Sequence, residues 1–286
     1  MTNRKERALI AAHTVEILER REYPCGGDTV SIGKVLDAAI AGTRHYSPED
    51  FASVFAERAT CLETPPCPTK TRFRVENTTT LSAAKTLVEE DASRRVLCLN
   101  FASAKSPGGG FLTGAQAQEE CLARATGLYV CIKDVSSYYE TNRSCGTPLY
   151  TDHMIYSPNV PVIRDDDDQL LPTPFAVSII TAPAVNAGAV VDNYPQDVPR
   201  IDEVMQARIE RVLSLAVIHE HRHLVLGAWG CGVFKNDIEK VAQWFYVQLC
   251  EQSIFSQAFE TVIFAVLDHS DTEKFISPFR ACFDRA

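Results

Sequence analysis

Residues 100–124, NFASAKSPGGGFLTGAQAQEECLAR, constrain this chain more than any other stretch: an apolar run enters three consecutive glycines, and a helix-forming segment with two adjacent carboxylates follows. Gly108, Gly109 and Gly110 cost backbone entropy and reach φ > 0 conformations closed to other residues, so a loop carrying them lets backbone approach something closely. Successive N–H groups can then converge on an anion, and a helix start behind the loop adds unpaired donors and the positive end of its dipole. Pro107 keeps the preceding segment from continuing as a helix. The stretch reads as an anion cradle with an acid beside it; the plainer reading is a strand-to-helix turn. Adjacent helix residues point about 100° apart, so Glu119 and Glu120 are expected not to face one atom and to have different jobs.

The surroundings of this stretch are those of an ordinary α/β protein. With 286 residues, 45% apolar and 23% charged, the chain can bury a full core. No apolar run approaches the roughly 20 residues of a membrane span, and the polar start MTNRKER lacks the apolar stretch of a secretory signal, so a soluble cytoplasmic protein without a membrane partner is expected. A net charge of −9 argues against a nucleic-acid binder, and a polyanionic ligand would have to be gripped locally, by backbone N–H donors. Ten scattered cysteines without a CxxC pair predict reduced thiols rather than zinc or disulfides.

In chain order, helical spacing covers residues 4–21, a short strand 29–32, a second helix starts near Lys34, and Ser47-Pro48-Glu49-Asp50 opens a third through about Thr60. Pro65, Pro66 and Pro68 mark the expected boundary between a helical accessory region, 1–68, and a main domain, 69–286. Strand 72–76, helix 81–90, strand 95–101 and helix 115–129 then alternate, which predicts a layered sheet with helices on its faces. Strands at 155–163 and 170–171 flank RDDDDQ, read as a solvated hairpin turn rather than a metal site, and 178–183 is a further strand. Helix 200–219 ends at His219, His221 and His223, read as dipole partners of a helix end rather than metal ligands. Strand 223–227 delivers a second glycine loop, GAWGCGVF, ahead of helix 236–252, and 261–267 is the last strand. The second loop repeats the anion-binding physics of the first, and lacking the Lys-Ser/Thr of a P-loop it disfavours nucleotide hydrolysis.

Three glycines, a short spacer and Gln-Glu-Glu resemble the signature of poly(ADP-ribose) glycohydrolases (PARGs), and NFASAKSPGGGFLTGAQAQEE resembles the bacterial branch, with similarity over about residues 76–266. The resemblance implies a macrodomain-like three-layer α/β/α fold with a mixed central sheet and a helical N-terminal extension. It implies hydrolysis of the ribose–ribose bonds of poly(ADP-ribose) carried by modified proteins, with ADP-ribose released chiefly from chain ends, no metal or cofactor, and a monomer. By resemblance Glu120 is the general acid and Glu119 holds the leaving ribose. Gln118 contacts the adjoining ribose or base, and Asn100, where vertebrate-type members look to carry aspartate, lies near the reacting ribose. Gly108, Gly109 and Gly110 with Gly230, Cys231, Gly232, Val233 and Phe234 form the two diphosphate loops, Phe234 packs beside the distal ribose, and Phe264 is a weaker candidate for the pocket wall. The leading rival is a non-catalytic module that reads ADP-ribose. A metal-dependent hydrolase using Asp165, Asp166, Asp167 and Asp168, and a phosphatase cutting the diphosphate, are the others.

Overall fold

The structure, a computed structural model, describes residues 2–64, 67, 69–251 and 253–284. Pro65, Pro66 and Pro68, where the boundary was expected, and Gln252 lie outside the described residues. The chain opens with α1 (Arg4–Arg20), started by a capping box: Asn3 Oδ1 accepts from the Lys5 and Glu6 N–H groups while Glu6 accepts from the Asn3 N–H. Gly26 and Gly27, both at positive φ, turn a hairpin of β1 (Glu22–Cys25) and β2 (Asp28–Ser31) where the sequence suggests one strand. Next come α2 (Gly33–Gly42), the short β3 (Arg44–Tyr46) and α3 (Phe51–Leu62).

Strands and helices then alternate through β4 (Arg72–Glu76), α4 (Thr80–Glu90), β5 (Val96–Phe101), α5 (Gln118–Ala125), α6 (Leu128–Ile132) and α7 (Ser136–Ser144). The long pair β6 (Met154–Arg164) and β7 (Leu170–Ala182) follows, then α8 (Ala187–Asn193), α9 (Ile201–Ile218), β8 (His223–Leu226), α10 (Ile238–Tyr246), β9 (Thr261–Ala265) and α11 (Ser277–Phe283).

Among the described residues seven strands form one sheet in the order β3-β6-β7-β5-β8-β9-β4. From β7 to β4 all neighbours are parallel, and β6 runs antiparallel to both β3 and β7. Parallel neighbours need crossovers, and the helices that supply them cover both faces. Alternation along β5 assigns its side chains: Leu97 and Leu99 join the core with α9 and α10, while Val96 and Cys98 join the core with α4, α5 and α7. The three-layer α/β/α arrangement with a mixed central sheet is the fold the resemblance implies.

Two elements differ from expectation for identifiable reasons. α5 ends at Ala125 instead of continuing to 129, because Thr126 turns extended, forms a bridge with Val162, and uses its hydroxyl on the Leu122 carbonyl. β7 is one strand of 13 residues despite Pro172 and Pro174. The prolines fall in the register shift between the pairings of Leu170 and Phe175 with β6, and pairing with β5 begins only at Ser178, so neither ladder asks them for a donor. The first part of the chain is built into the fold, and two of its contacts bear on the site and the sheet. β3 pairs with β6, Tyr46 opposite Met154. α1 lies on the loop before α5, where Arg4 and Arg7 donate to the carbonyls of Thr113 and Gly114, and Thr14 to that of Arg124. The contact is so close that a Cβ on Gly114 would collide with the Arg4 carbonyl.

Candidate active site

β5 and β8 are parallel neighbours, so the loops leaving their carboxyl ends stand side by side, over the crevice where open α/β sheets hold ligands. In the first loop Gly108 and Gly109 have φ of +69° and +59°. The donors this conformation frees are turned on the protein's own side chains. Gly110 N–H donates to Glu120 Oε1 at 2.9 Å, Ser103 N–H to Glu119 Oε2 at 2.7 Å, and the Gly108 N–H also points to Glu119. The anions in this cradle are thus the two carboxylates, because α5 starts only at Gln118 and the glycines fold back over its first turn.

Both carboxylates reach Gly109: a Cβ built there would lie 2.9 Å from Glu120 Cδ and 3.1 Å from Glu119 Oε2. This corrects the expectation that adjacent helix residues could not face one point. Their Cα–Cβ bonds diverge, but both side chains bend back over the first helical turn to a residue that must lack a Cβ. Their surroundings are unequal. Glu119 is 3% exposed, with one oxygen on the Ser103 N–H and the other accepting from Asn100 Nδ2 at 3.3 Å. Burial pushes its carboxyl up to about 8, the Glu120 charge adding to the effect and the bonds from Ser103 and Asn100 opposing it. Glu120 is half-buried, and its second oxygen takes no hydrogen bond among the described residues.

Asn100, wholly buried, continues the alternation of Val96 and Cys98 and so faces the α5 layer. It donates to Glu119 and to Thr181 Oγ1 at 3.2 Å, while its Oδ1 has no protein partner. Gln118 is committed to the scaffold: its Oε1 accepts from the Phe101 N–H at 2.8 Å, and its Nε2 donates to the Leu99 carbonyl and Thr80 Oγ1. These bonds tie the end of β5 to the start of α5 and leave no amide N–H for a ligand.

The second loop holds donors the protein does not use. Gly230, at φ +76°, packs on Ala184 and Asn236 so closely that a Cβ would sit 2.5 Å from each. Trp229 is wholly buried, and burial pushes the neighbouring Cys231 thiol up to about 12, which makes it packing rather than a nucleophile. Gly232 and Val233 stand in solvent, Val233 with 81% of its surface exposed, and the N–H groups of Gly232, Val233 and Phe234 find no acceptor among the described residues. Phe234 is half-buried with its ring 5.9 Å from Tyr150. Phe264 is no part of this wall. It is wholly buried against Phe283, Phe279 and Phe245, because its place in the alternation of β9 turns it under α10 and α11.

The four aspartates form the turn between β6 and β7: Asp165 Oδ1 accepts from the Asp167 and Gln169 N–H groups, and Asp166 accepts from Thr79 and Ser82 at the start of α4. His219 stacks on Tyr156 and bonds the Tyr46 hydroxyl, and His221 bonds Tyr156 and the Arg95 carbonyl; burial pushes both down to about 4. No group of three or more His, Cys, Asp or Glu among the described residues is placed to hold a metal.

Sequence reasoning missed Thr181, Ser103 and Tyr150, and also Tyr138 and Tyr139, whose buried rings lie close enough to Glu119 to feel its charge. The only signal was SAKS between strand and glycines; α7 and the 145–153 loop carry no periodicity that would aim them at the carboxylates.

Compared with known proteins, residues 11–165 match the microbial-type PARG catalytic domain. The fold is similar to that of poly(ADP-ribose) glycohydrolase from Thermomonospora curvata, with TM-score 0.90, 44% identity, and coverage of 98% of this chain and 100% of that one. The same enzyme bound to the inhibitor ADP-HPD gives 0.87 and 44%, covering 97% and 99%. Poly(ADP-ribose) glycohydrolase from Deinococcus radiodurans in complex with ADP-ribose gives 0.79 and 43%, covering 87% and 97%. A search of curated proteins returned no match.

Proposed function

The chain belongs to the microbial-type poly(ADP-ribose) glycohydrolases, and from that premise we propose how its residues divide the work. It is a glycoside hydrolase that cleaves the ribose–ribose O-glycosidic bonds of poly(ADP-ribose) and releases ADP-ribose. Such a cleavage needs a proton on the leaving oxygen while the ring gains oxocarbenium character.

One observation carries the assignment: two carboxylates converge on Gly109, one with both oxygens bound by the protein and one with an oxygen free. Glu120, with the free oxygen, is the general acid; it protonates the leaving ribose and then, as a carboxylate, takes a proton from the attacking water. Glu119 is held in place to bind the hydroxyls of the leaving ribose. Burial raises the Glu119 carboxyl to about 8, so a proton is held beside Glu120 at neutral pH. The unpaired Oδ1 of Asn100 accepts from a ribose hydroxyl, because a buried acceptor left without a donor costs about 1–3 kcal/mol.

The free N–H groups of Gly232, Val233 and Phe234 take the diphosphate, which explains how a chain of charge −9 grips a dianion. Gly230 shapes that loop, Cys231 packs beneath it, and Phe234 lies against the distal ribose. Gln118 serves as a positioning residue for the helix start. Release chiefly from chain ends follows from the resemblance and is read from product length.

The test compares wild type with Glu120→Gln on poly(ADP-ribose) in EDTA, with ADP-ribose binding followed by calorimetry. The variant keeps size and hydrogen bonding but not the acid, so binding should persist while turnover falls at least about a hundredfold. Equal turnover by both proteins would remove Glu120 from the role.

A further inference from the structure

We propose that Lys105, Arg143 and Tyr150 form a subsite for the second ADP-ribose unit, the one that departs with the leaving ribose. The inference rests on the glycohydrolase reading and adds a place for the part of the chain beyond the cleaved bond.

Its position follows from the carboxylates. The leaving unit begins at the oxygen protonated beside Glu119 and Glu120, so its chain continues over the wall of the site nearest that pair. Ser103 is in that wall, since its N–H binds Glu119, and Lys105 lies two residues further along the same loop. Arg143, at the end of α7, donates to the Lys105 carbonyl at 2.6 Å, and Lys105 Nζ lies 5.9 Å from the centre of the Tyr150 ring. Tyr150 in turn packs against Phe234. The three residues therefore run from the acid pair to the distal-ribose wall as one continuous rim.

Their charge is unspent. Lys105 and Arg143 are exposed and make no ion pair among the described residues. Asp152 is held by Arg208 at 2.9 Å and Asp197 by Arg200 at 3.0 Å, and Glu140, one turn before Arg143 on α7, makes no ion pair with it. The contrast is with a recess of about 790 Å³ at the amino ends of β5 and β8, which is lined by Arg94, Arg95 and Arg222. There each arginine faces an acid: Glu90, Glu220 and Glu260 respectively. Two unpaired cations at the mouth of an acidic protein suit the pyrophosphate of a second unit.

The tyrosine is fixed in advance. It has φ +58°, a left-handed conformation that non-glycine residues rarely adopt. The flanking residues hold it there: Asn142 Oδ1 accepts from the Thr151 N–H and hydroxyl at 2.9 Å, and the wholly buried Arg208 donates to the Leu149 carbonyl at 3.2 Å. A half-buried ring on a braced backbone, with a cation over it, gives an adenine an aromatic surface to pack against.

The experiment uses Lys105→Ala combined with Arg143→Gln, which keeps a donor for the Lys105 carbonyl. Two substrates are compared: poly(ADP-ribose), and an aryl glycoside of ADP-ribose that has no second unit. The expected result is a KM for polymer raised about tenfold, a weaker dependence of that KM on salt, and a kcat/KM for the aryl glycoside within about twofold of wild type. Unchanged polymer kinetics, or equal losses on both substrates, would overturn the subsite. Should the wild type hydrolyse neither substrate, the glycohydrolase reading fails, and the subsite is then judged from binding. In that case the ratio of polymer affinity to ADP-ribose affinity must still fall about tenfold in the variant, or the subsite fails too.

Discussion

Replacing Glu119 by glutamine should change how the stability of this protein depends on pH. The ordinary value of the carboxyl is 4.5, and in the fold it rises to about 8. Below 4.5 both states hold the proton. Between the two values the unfolded chain releases it while the folded chain keeps it, so stability falls as pH rises, and the loss is complete above about 8. Each tenfold change in proton affinity is worth about 1.4 kcal/mol, so the wild type should lose on the order of 3–5 kcal/mol from this group across the window. Glutamine has no such proton. It does present an NH2 where Ser103 N–H or the Asn100 amide now finds an acceptor, a roughly constant penalty of about 1–2 kcal/mol. The variant should therefore be the less stable protein at pH 5 and the more stable one at pH 9. Urea unfolding of both at pH 5, 7 and 9, at fixed ionic strength, reads the difference, in which other titrating groups cancel. Parallel curves would show that burial does not hold a proton on Glu119.

Gly109→Ala should keep the fold and lose the site. Its φ of +59° costs alanine roughly 1–2 kcal/mol, and the new methyl must displace both carboxylates. A melting temperature lowered by a few degrees with kcat/KM down at least a hundredfold is expected, and retained activity would refute the convergence of the pair on this glycine. Phe264→Ala should do the reverse: a loss of about 3–5 kcal/mol in urea unfolding, with ADP-ribose affinity of the folded protein unchanged by calorimetry. A large loss of affinity in a well-folded Phe264→Ala protein would return that residue to the binding wall.

The stretch from Asn100 to Arg124 was legible because its chemistry is local: glycines, spacer and acids follow one another, and the strand before them is apolar. Which anion the glycines would hold was not, because it depends on the glutamates reaching back across the loop, a contact settled by where α5 starts. The prolines of β7 hid a strand that tolerates them because they fall in a break of the β6 ladder and β5 stops short of that half. β3, three residues long, is a strand solely by virtue of β6 beside it. Tyr150 was invisible for a related reason: nothing in its neighbours' sequence shows that Arg208 and Asn142, from two helices, will hold its loop. Phe264 misled because a strand's apolar residues look alike until the register says which core they enter.

The bonds from α1 to the loop before α5 and to α5 itself join residues 107–110 positions apart in the chain. On a ribosome this is a long wait. At roughly 5–20 residues per second, α1 is outside well before the segment it braces, and the second loop, beyond residue 227, follows several seconds later still. A capped helix can form by itself only marginally, so α1 waits for the segment it braces, and the nascent chain then carries the acid pair through more than a hundred further residues without the second loop. A chain stalled before β8 would therefore hold both carboxylates of the pair and none of the free N–H groups of the second loop.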